Sequence, residues 1–173
     1  MSIISLLIFG TALWGQDIGN INIIPIKDEV IDSFLSGDLI SSDFTSGHIF
    51  APSERNRVKY LYIQNIICIA SEEALIECLS NLSLVITRLC ADINSIKKVF
   101  CLAVSPEIKH LMPILNFIKY TDTQSFRRDG HEEAIYHTGI RQILIGVSDI
   151  FRNNPKYELT YKNILALLGT LKM

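Results

Sequence analysis

The sequence has few cysteines, and none of them has the spacing of a disulfide framework or of a cysteine metal site. Four cysteines occur in 173 residues, without any C-x-x-C pair. Each lies within an apolar stretch, where a free cysteine packs as a small hydrophobic side chain: Cys68, Cys78, Cys90 and Cys101. Because reduced buried thiols are typical of a reducing compartment, the sequence predicts a cytoplasmic protein.

Basic clusters and long hydrophobic runs are also missing. The net charge is −2, and the densest basic spots, at residues 55–59, 97–98 and 127–128, hold only two or three Lys or Arg. Nucleic acid and anionic membranes need larger clusters, so neither is an expected partner. The apolar run at residues 3–14 is shorter than the roughly 18 residues of a membrane span and follows no basic residue. It is interpreted as a buried strand or helix, with an uncharged signal segment as the alternative.

Common phosphate-binding and hydrolytic motifs are absent as well: G-x-x-x-x-G-K-[ST], G-x-G-x-x-G, G-x-S-x-G and H-E-x-x-H. Hydrophobic residues make up 49% of the chain and charged residues 20%, which is enough apolar material for a folded core. The length is that of one domain, so residues 1–173 are expected to form a single globular domain.

The middle of the chain predicts a strand–helix–strand unit. Residues 58–70 are β-branched and aromatic, as in a central strand, and residues 96–104 form a second apolar strand. Between them the leucine spacing predicts a helix over residues 72–91. The residues of its apolar stripe recur every three or four positions: Leu75, Leu79, Leu82, Ile86 and Leu89. Such a unit requires a crossover connection and predicts two neighbouring strands of one sheet.

The flanking segments complete the predicted fold. A short strand is expected at 21–26, a helix at 28–35, and two C-terminal helices at 140–151 and 161–171. Residues 126–139 are compatible with a strand or a loop. The expected fold class is therefore α/β (α+β), with a mixed, mostly antiparallel sheet flanked by helices and a helical C-terminus.

Residues 58–120 resemble the second half of a GNAT-type acyltransferase domain. In that family a central strand leads through a phosphate-binding loop into a long helix. A second strand, a short helix and an aromatic-ended turn follow. Residues 96–120, IKKVFCLAVSPEIKHLMPILNFIKY, are similar in spacing to the family's last motif and end on Tyr120. The resemblance implies a GNAT-like fold and acyl transfer from acyl-CoA.

The chain departs from this family at the loop that would hold the phosphates. Residues 67–73, ICIASEE, contain no Gly and no Arg, and they place Glu72 and Glu73 directly after Ser71. A phosphate needs close approach to the backbone and an unblocked helix N-terminus, whereas two carboxylates reverse the favourable field. The donor-loop position is therefore predicted to be unsuitable, and no cofactor is expected.

The positions of the family's usual catalytic residues are also substituted. Ile108 stands where many members carry Asn, Leu115 where they carry the Tyr general acid, and Lys119 where they carry Gly. An aliphatic side chain cannot donate a proton to a leaving thiolate. The usual chemistry is therefore expected to be lost or moved to other residues.

Single histidines are the remaining candidates for catalysis. His48, His110 and His131 could each act as a general base near pH 7. The segment HEEAIYH, residues 131–137, is the only cluster of potential metal ligands in the sequence. On a strand its two histidines would share a face but lie on the order of 20 Å apart. On a helix Glu133 and His137 would share a face, and two ligands do not complete a zinc site. No metal is expected.

Two functions from different classes follow from these observations. The first is a non-catalytic protein-binding module on a degenerate GNAT-like scaffold, for example a toxin-neutralising immunity protein or a host–phage interaction protein. It rests on a well-formed core without a complete catalytic constellation, and its partner is expected to be another protein. The alternative is an acyl-CoA-dependent acyltransferase with a non-standard donor site and a His base. A homo-oligomer is a further alternative, since the apolar face of residues 140–151 could pack on the core or on a second subunit.

Overall fold

A computed structural model of the protein describes residues 12–13, 16–17, 19–39, 43–68, 72–92, 96–103, 106–120, 126–128 and 131–171. Apart from β1 (Ala12–Leu13), the apolar run at residues 3–14 lies outside the described residues. β1 pairs with β2 (Gln16–Asp17) in a separate two-stranded sheet.

Six further strands form the main sheet: β3 (Gly19–Ile26), β4 (Tyr60–Cys68), β5 (Lys98–Ala103), β6 (Ile118–Lys119), β7 (Phe126–Arg128) and β8 (His131–Thr138). Their order is β3–β4–β5–β8–β6, and β7 also pairs with β8. β4 and β5 are parallel, whereas the other described pairs are antiparallel. The predicted mixed, mostly antiparallel sheet is confirmed, and the segment left open between strand and loop contains β7 and β8.

In the described part of the chain, five α-helices flank the sheet: α1 (Ile31–Ser36), α2 (Glu72–Asp92), α3 (Pro106–Ile114), α4 (Ile140–Phe151) and α5 (Glu158–Thr170). α1 ends at Gly37, whose φ of 83° is the left-handed conformation that glycine adopts at helix C-termini. Pro113 lies in the last turn of α3, so the helix ends soon after it. The element order over residues 58–120 is the one that the GNAT resemblance implies.

The predicted crossover is confirmed, because α2 connects the parallel strands β4 and β5. The middle of its predicted apolar stripe, Leu79, Leu82 and Ile86, is at most 2% exposed. Burying three such side chains stabilises the fold by about 5 kcal/mol or more relative to leaving them exposed.

Side chains of the sheet alternate between two cores. Leu61, Val99 and Cys101 point to the face covered by α2, α3, α4 and α5. Tyr62 and Phe100 point to the opposite face, which is covered by α1 and the segment that follows it. Burial raises the pKa of the Cys101 thiol to about 12, so this cysteine is an inert core residue at neutral pH.

Within the described part of the chain, no helix combines the length and the apolar character that crossing a bilayer requires.

Candidate functional site

The parallel strands β4 and β5 pair over only part of their length. Their register begins at Tyr60 opposite Lys98 and ends at Ile63 opposite Cys101. Beyond that point β4 continues to Cys68 paired with β3, and β5 continues to Ala103 paired with β8. Among the described residues the two strands share no further pairs, and the unpaired stretch between their carboxyl ends is the gap.

A β-bulge in β4 lies where this gap begins. In the β3–β4 ladder, Asn22 is opposite Asn65 and Ile23 is opposite Ile63, which leaves Gln64 as an extra residue. A bulge bends its strand and increases the local twist. Because the extra residue directly follows the last β4–β5 pair, the bulge accounts for the separation of the two strands.

The gap has the properties of a ligand site. Open strand edges present backbone N–H and C=O groups that an extended ligand can pair with. In α/β sheets, ligands bind outside the carboxyl ends of parallel strands. The end of β4–β5 pairing, which precedes α2 in the chain, is therefore a candidate ligand site.

The start of α2 keeps the acidic character seen in the sequence. Ser71 lies outside the described residues, Glu72 is the first residue of α2, and Glu73 is exposed in the first turn. That this turn repels a nucleotide phosphate stays a prediction.

His137 is the histidine on β8 whose side chain the structure describes close to the end of β4–β5 pairing, and from the sequence it was considered only as a metal ligand. It lies on β8 opposite Phe100 of β5, one residue before the last β4–β5 pair. Its ring centroid is 6.4 Å from that of Phe100 and 5.7 Å from that of Tyr120. Desolvation and the charge of Lys98 lower the pKa of His137, so the imidazole is neutral at pH 7 and can accept a proton.

The three histidines named from the sequence lie elsewhere. His48 accepts a hydrogen bond at Nδ1 from the Thr45 N–H (3.2 Å) and contacts Phe44 on the same face as His137. His110 is exposed on α3. His131 is the first residue of β8, at the opposite end from His137, and its side chain is outside the described set.

A cleft of about 530 Å³ lies beside His137, at the amino end of β5 and the carboxyl end of β8. Its lining includes Lys97, Lys98, Asn116 and Gln142. Asn116 has a φ of 59°, a left-handed conformation that Asn tolerates better than most residues. Its side-chain amide donates to the Gln142 carbonyl (3.1 Å), and its own carbonyl accepts from Thr138 Oγ1 (2.8 Å). These bonds join the turn after α3 to β8 and α4, so one wall of the cleft is held in place.

Comparisons with known proteins give only structural likenesses. No protein-family model matches the chain, and no curated protein sequence matches it. Among solved structures, the CoA-dependent acyl-homoserine lactone synthase MesI is similar, with a TM-score of 0.45 and 10% identity over 94% of this chain and 68% of that one. The CoA-dependent acyl-homoserine lactone synthase BjaI, with SAM and isopentyl-CoA, gives a TM-score of 0.49 and 12% identity over 89% of this chain and 71% of that one.

These findings contradict the first function expected from the sequence. A non-catalytic protein-binding module, such as an immunity protein, was expected, whereas the similar structures named above are CoA-dependent synthases. That expectation is wrong. Both TM-scores lie below 0.5, so the activity of this chain has to be argued from its own geometry.

Proposed function

We propose that the chain is an acyl-CoA-dependent acyltransferase that holds the thioester arm of its donor in the gap between β4 and β5. The observation that carries the proposal is the end of β4–β5 pairing at Ile63 and Cys101, next to the bulge at Gln64. Pantetheine is an extended chain with two amides, and these amides match the backbone groups of two open strand edges.

His137 is the proposed general base. The half-buried imidazole lies on the face of the sheet opposite α2–α5 and lines the cleft described above, so the acceptor reaches it from that cleft. The register places His137 two residues before the first unpaired position of β5, about 7 Å along the strand direction. A bound acceptor can bridge that distance.

The proposed reaction is a direct acyl transfer. The acceptor's N–H or O–H group gives its proton to His137 as the nucleophile attacks the thioester carbonyl. The tetrahedral intermediate collapses, the C–S bond breaks, and the thiolate of CoA leaves and takes up the proton. The net change converts acyl-S-CoA and H-Nu into acyl-Nu and HS-CoA, without an oxidant or reductant.

Thermal unfolding with acyl-CoA tests the proposal directly. A ligand that binds only the folded state at one hundred times its Kd stabilises it by about 2.7 kcal/mol. For a chain of this length the melting temperature should rise by roughly 5–10 °C. The donors to compare are acetyl-CoA, octanoyl-CoA and the matching acyl-pantetheines. If none of them shifts the melting temperature at millimolar concentration, the proposal fails.

Deleting Gln64 is expected to abolish donor binding while the chain still folds. The deletion removes the extra residue and keeps the pairs on either side of it, Asn22–Asn65 and Ile23–Ile63, in register. β4 then continues straight and closes the gap against β5. Circular dichroism should show an unchanged fold, and acyl-CoA should no longer raise the melting temperature. Normal donor binding by this folded variant would place the site elsewhere.

Neutralising the acidic start of α2 is expected to tighten acyl-CoA binding. E72Q/E73Q removes two negative charges near the proposed position of the CoA phosphates. A charge at a helix N-terminus changes an interaction energy by roughly 0.3–1 kcal/mol, so each removal should favour the phosphates by about that amount. The Kd for acyl-CoA should fall about three- to thirtyfold. The Kd for the acyl-pantetheine, which has no nucleotide, serves as the control and should not change. Equal effects on both donors would show that the acids do not face the nucleotide.

A further inference from the structure

We propose that the cleft beside His137 binds a small molecule through a negatively charged group, a carboxylate or a phosphate, and that this molecule is the acyl acceptor. The assignment of the molecule as acceptor rests on the proposed function, whereas the anion site itself does not. The cleft volume, about 530 Å³, lies within the range of small-molecule pockets.

The charges around the cleft are of one sign. Lys97 and Lys98 line it, both are exposed, and no Asp or Glu among the described residues belongs to its lining. The described carboxylates form no ion pair with either lysine. The neighbouring Lys59 differs, since its ammonium group pairs with Asp28. Two lysines without a carboxylate partner at the rim of a concave surface favour an anionic ligand.

The backbone around these lysines is fixed. The N–H groups of Lys97 and Lys98 both donate to the carbonyl of Lys59, at 2.7 and 3.3 Å. The opposite wall is held by the hydrogen bonds of Asn116 described above. A site whose walls are fixed before binding loses less entropy when a ligand enters.

The start of α4 adds to the positive field. Its N-cap is Gly139, which lines the cleft and offers no side chain to cap the helix, and its first turn contains no acid. The positive end of the helix dipole therefore faces the same space as the lysines. Arg141 lies in the first turn of α4, but its guanidinium donates hydrogen bonds to the carbonyls of Leu168 and Leu171 and is therefore not counted among the cationic groups of the cleft.

His137 links this anion site to the proposed chemistry. The titratable groups that face the imidazole are Lys98 from β5 and Tyr120 beside β6, and Lys97 lies across the cleft. A bound anion offsets the positive charge of the lysines and stabilises the imidazolium. By linkage the anion should bind more tightly as the pH falls from 7.5 to 5.5 and His137 becomes protonated.

NMR titration of the histidine ring protons tests the site without any acyl donor. The chain has only four histidines, and the spectrum of His137→Gln assigns the His137 signal. The probes are succinate, inorganic phosphate, the neutral succinamide and the cationic putrescine. We expect succinate or phosphate to raise the pKa of His137, and whichever acts more strongly identifies the anionic group. Succinamide and putrescine should have no effect. Equal effects of charged and neutral probes would overturn the proposal.

Lysine variants inside and outside the cleft locate the site. K97Q/K98Q should weaken binding of the active anion roughly fivefold. Lys162→Gln on α5 removes a lysine that does not line the cleft and pairs with Glu158, and it should leave the affinity unchanged. If K97Q/K98Q binds the anion as well as the unaltered chain does, the lysines are not the site.

A transfer assay separates this inference from the proposed function. With acetyl-CoA as donor, 4-aminobutyrate should have a lower KM than its amide, because only the acid carries the anionic group. Anion binding without any acyl transfer would contradict the proposed function but would still support the anion site. Acyl transfer with equal KM values for the acid and the amide would support the proposed function and contradict the proposal that the anion is the acyl acceptor.

Discussion

Replacing Gly146 by Ala is expected to destabilise the protein strongly. A Cβ at this position would lie 2.6 Å from the Ile114 carbonyl oxygen and 2.8 Å from Leu115 Cα. Both are backbone atoms, so no side-chain rotation can relieve the overlap. Overpacking costs about 3 kcal/mol, offset by about 1 kcal/mol of helix propensity. The melting temperature should fall by roughly 4–8 °C.

Gly169→Ala in α5 is the matched control. It is also a glycine in a helix, but no atom lies within 4 Å of a Cβ added there, and the residue is exposed. This substitution should stabilise the protein by about 0.5–1 kcal/mol. The two variants should therefore shift the melting temperature in opposite directions. Equal melting temperatures would show that α4 does not contact the end of α3 as closely as described.

The contact at Gly146 also matters for the cleft. α4 approaches the end of α3 there, directly before the turn that contains Asn116. The same approach brings Gln142 within hydrogen-bond distance of Asn116. Gly146→Ala should therefore weaken succinate or phosphate binding as well as stability, because separating α4 from the end of α3 distorts the cleft wall that Asn116 and Gln142 form.

The fold was largely predictable from the sequence because its elements have strong local signals. The stripe from Leu75 to Leu89 specifies α2 through spacing alone, and the β-branched run before it specifies β4. The break at residues 153–155 likewise separates α4 from α5. In each case the signal lies within the element itself.

The candidate site was not predictable, because each part depends on distant segments. The bulge at Gln64 exists only relative to β3, some forty positions earlier. The environment of His137 comes from Phe100 and Lys98 on another strand. Nothing in the segment around His137 distinguishes it from His131.

The same limit explains why the expected function was wrong. A non-catalytic module was inferred because side-chain motifs were missing at Ser71, Ile108 and Leu115. A gap between strands is made of backbone groups, which every residue carries, so it leaves no side-chain motif. The missing glycine loop argues against tight binding of the nucleotide phosphates. It does not argue against binding of the extended thioester arm, which would pair with strand backbone groups.

His137→Gln is expected to reduce kcat by about 10²- to 10⁴-fold, the usual contribution of a general base. Glutamine is similar in size and still forms hydrogen bonds, but it does not accept a proton near pH 7. His137 is only half-buried, so the melting temperature should change little. The KM for acyl-CoA should stay the same, because the proposed donor site is the gap between β4 and β5 and not His137.

The pH profile separates a base from a structural residue. Burial and Lys98 hold the pKa of His137 below the ordinary histidine value of 6.5. The kcat/KM of the unaltered chain should therefore reach its plateau at neutral pH and fall as the pH drops through the lowered pKa and the imidazole is protonated. His137→Gln should lose this acidic limb together with most of its rate. His48→Gln, His110→Gln and His131→Gln are measured in parallel. A larger loss of kcat in any of them, with the acidic limb gone, would assign the base to that residue instead.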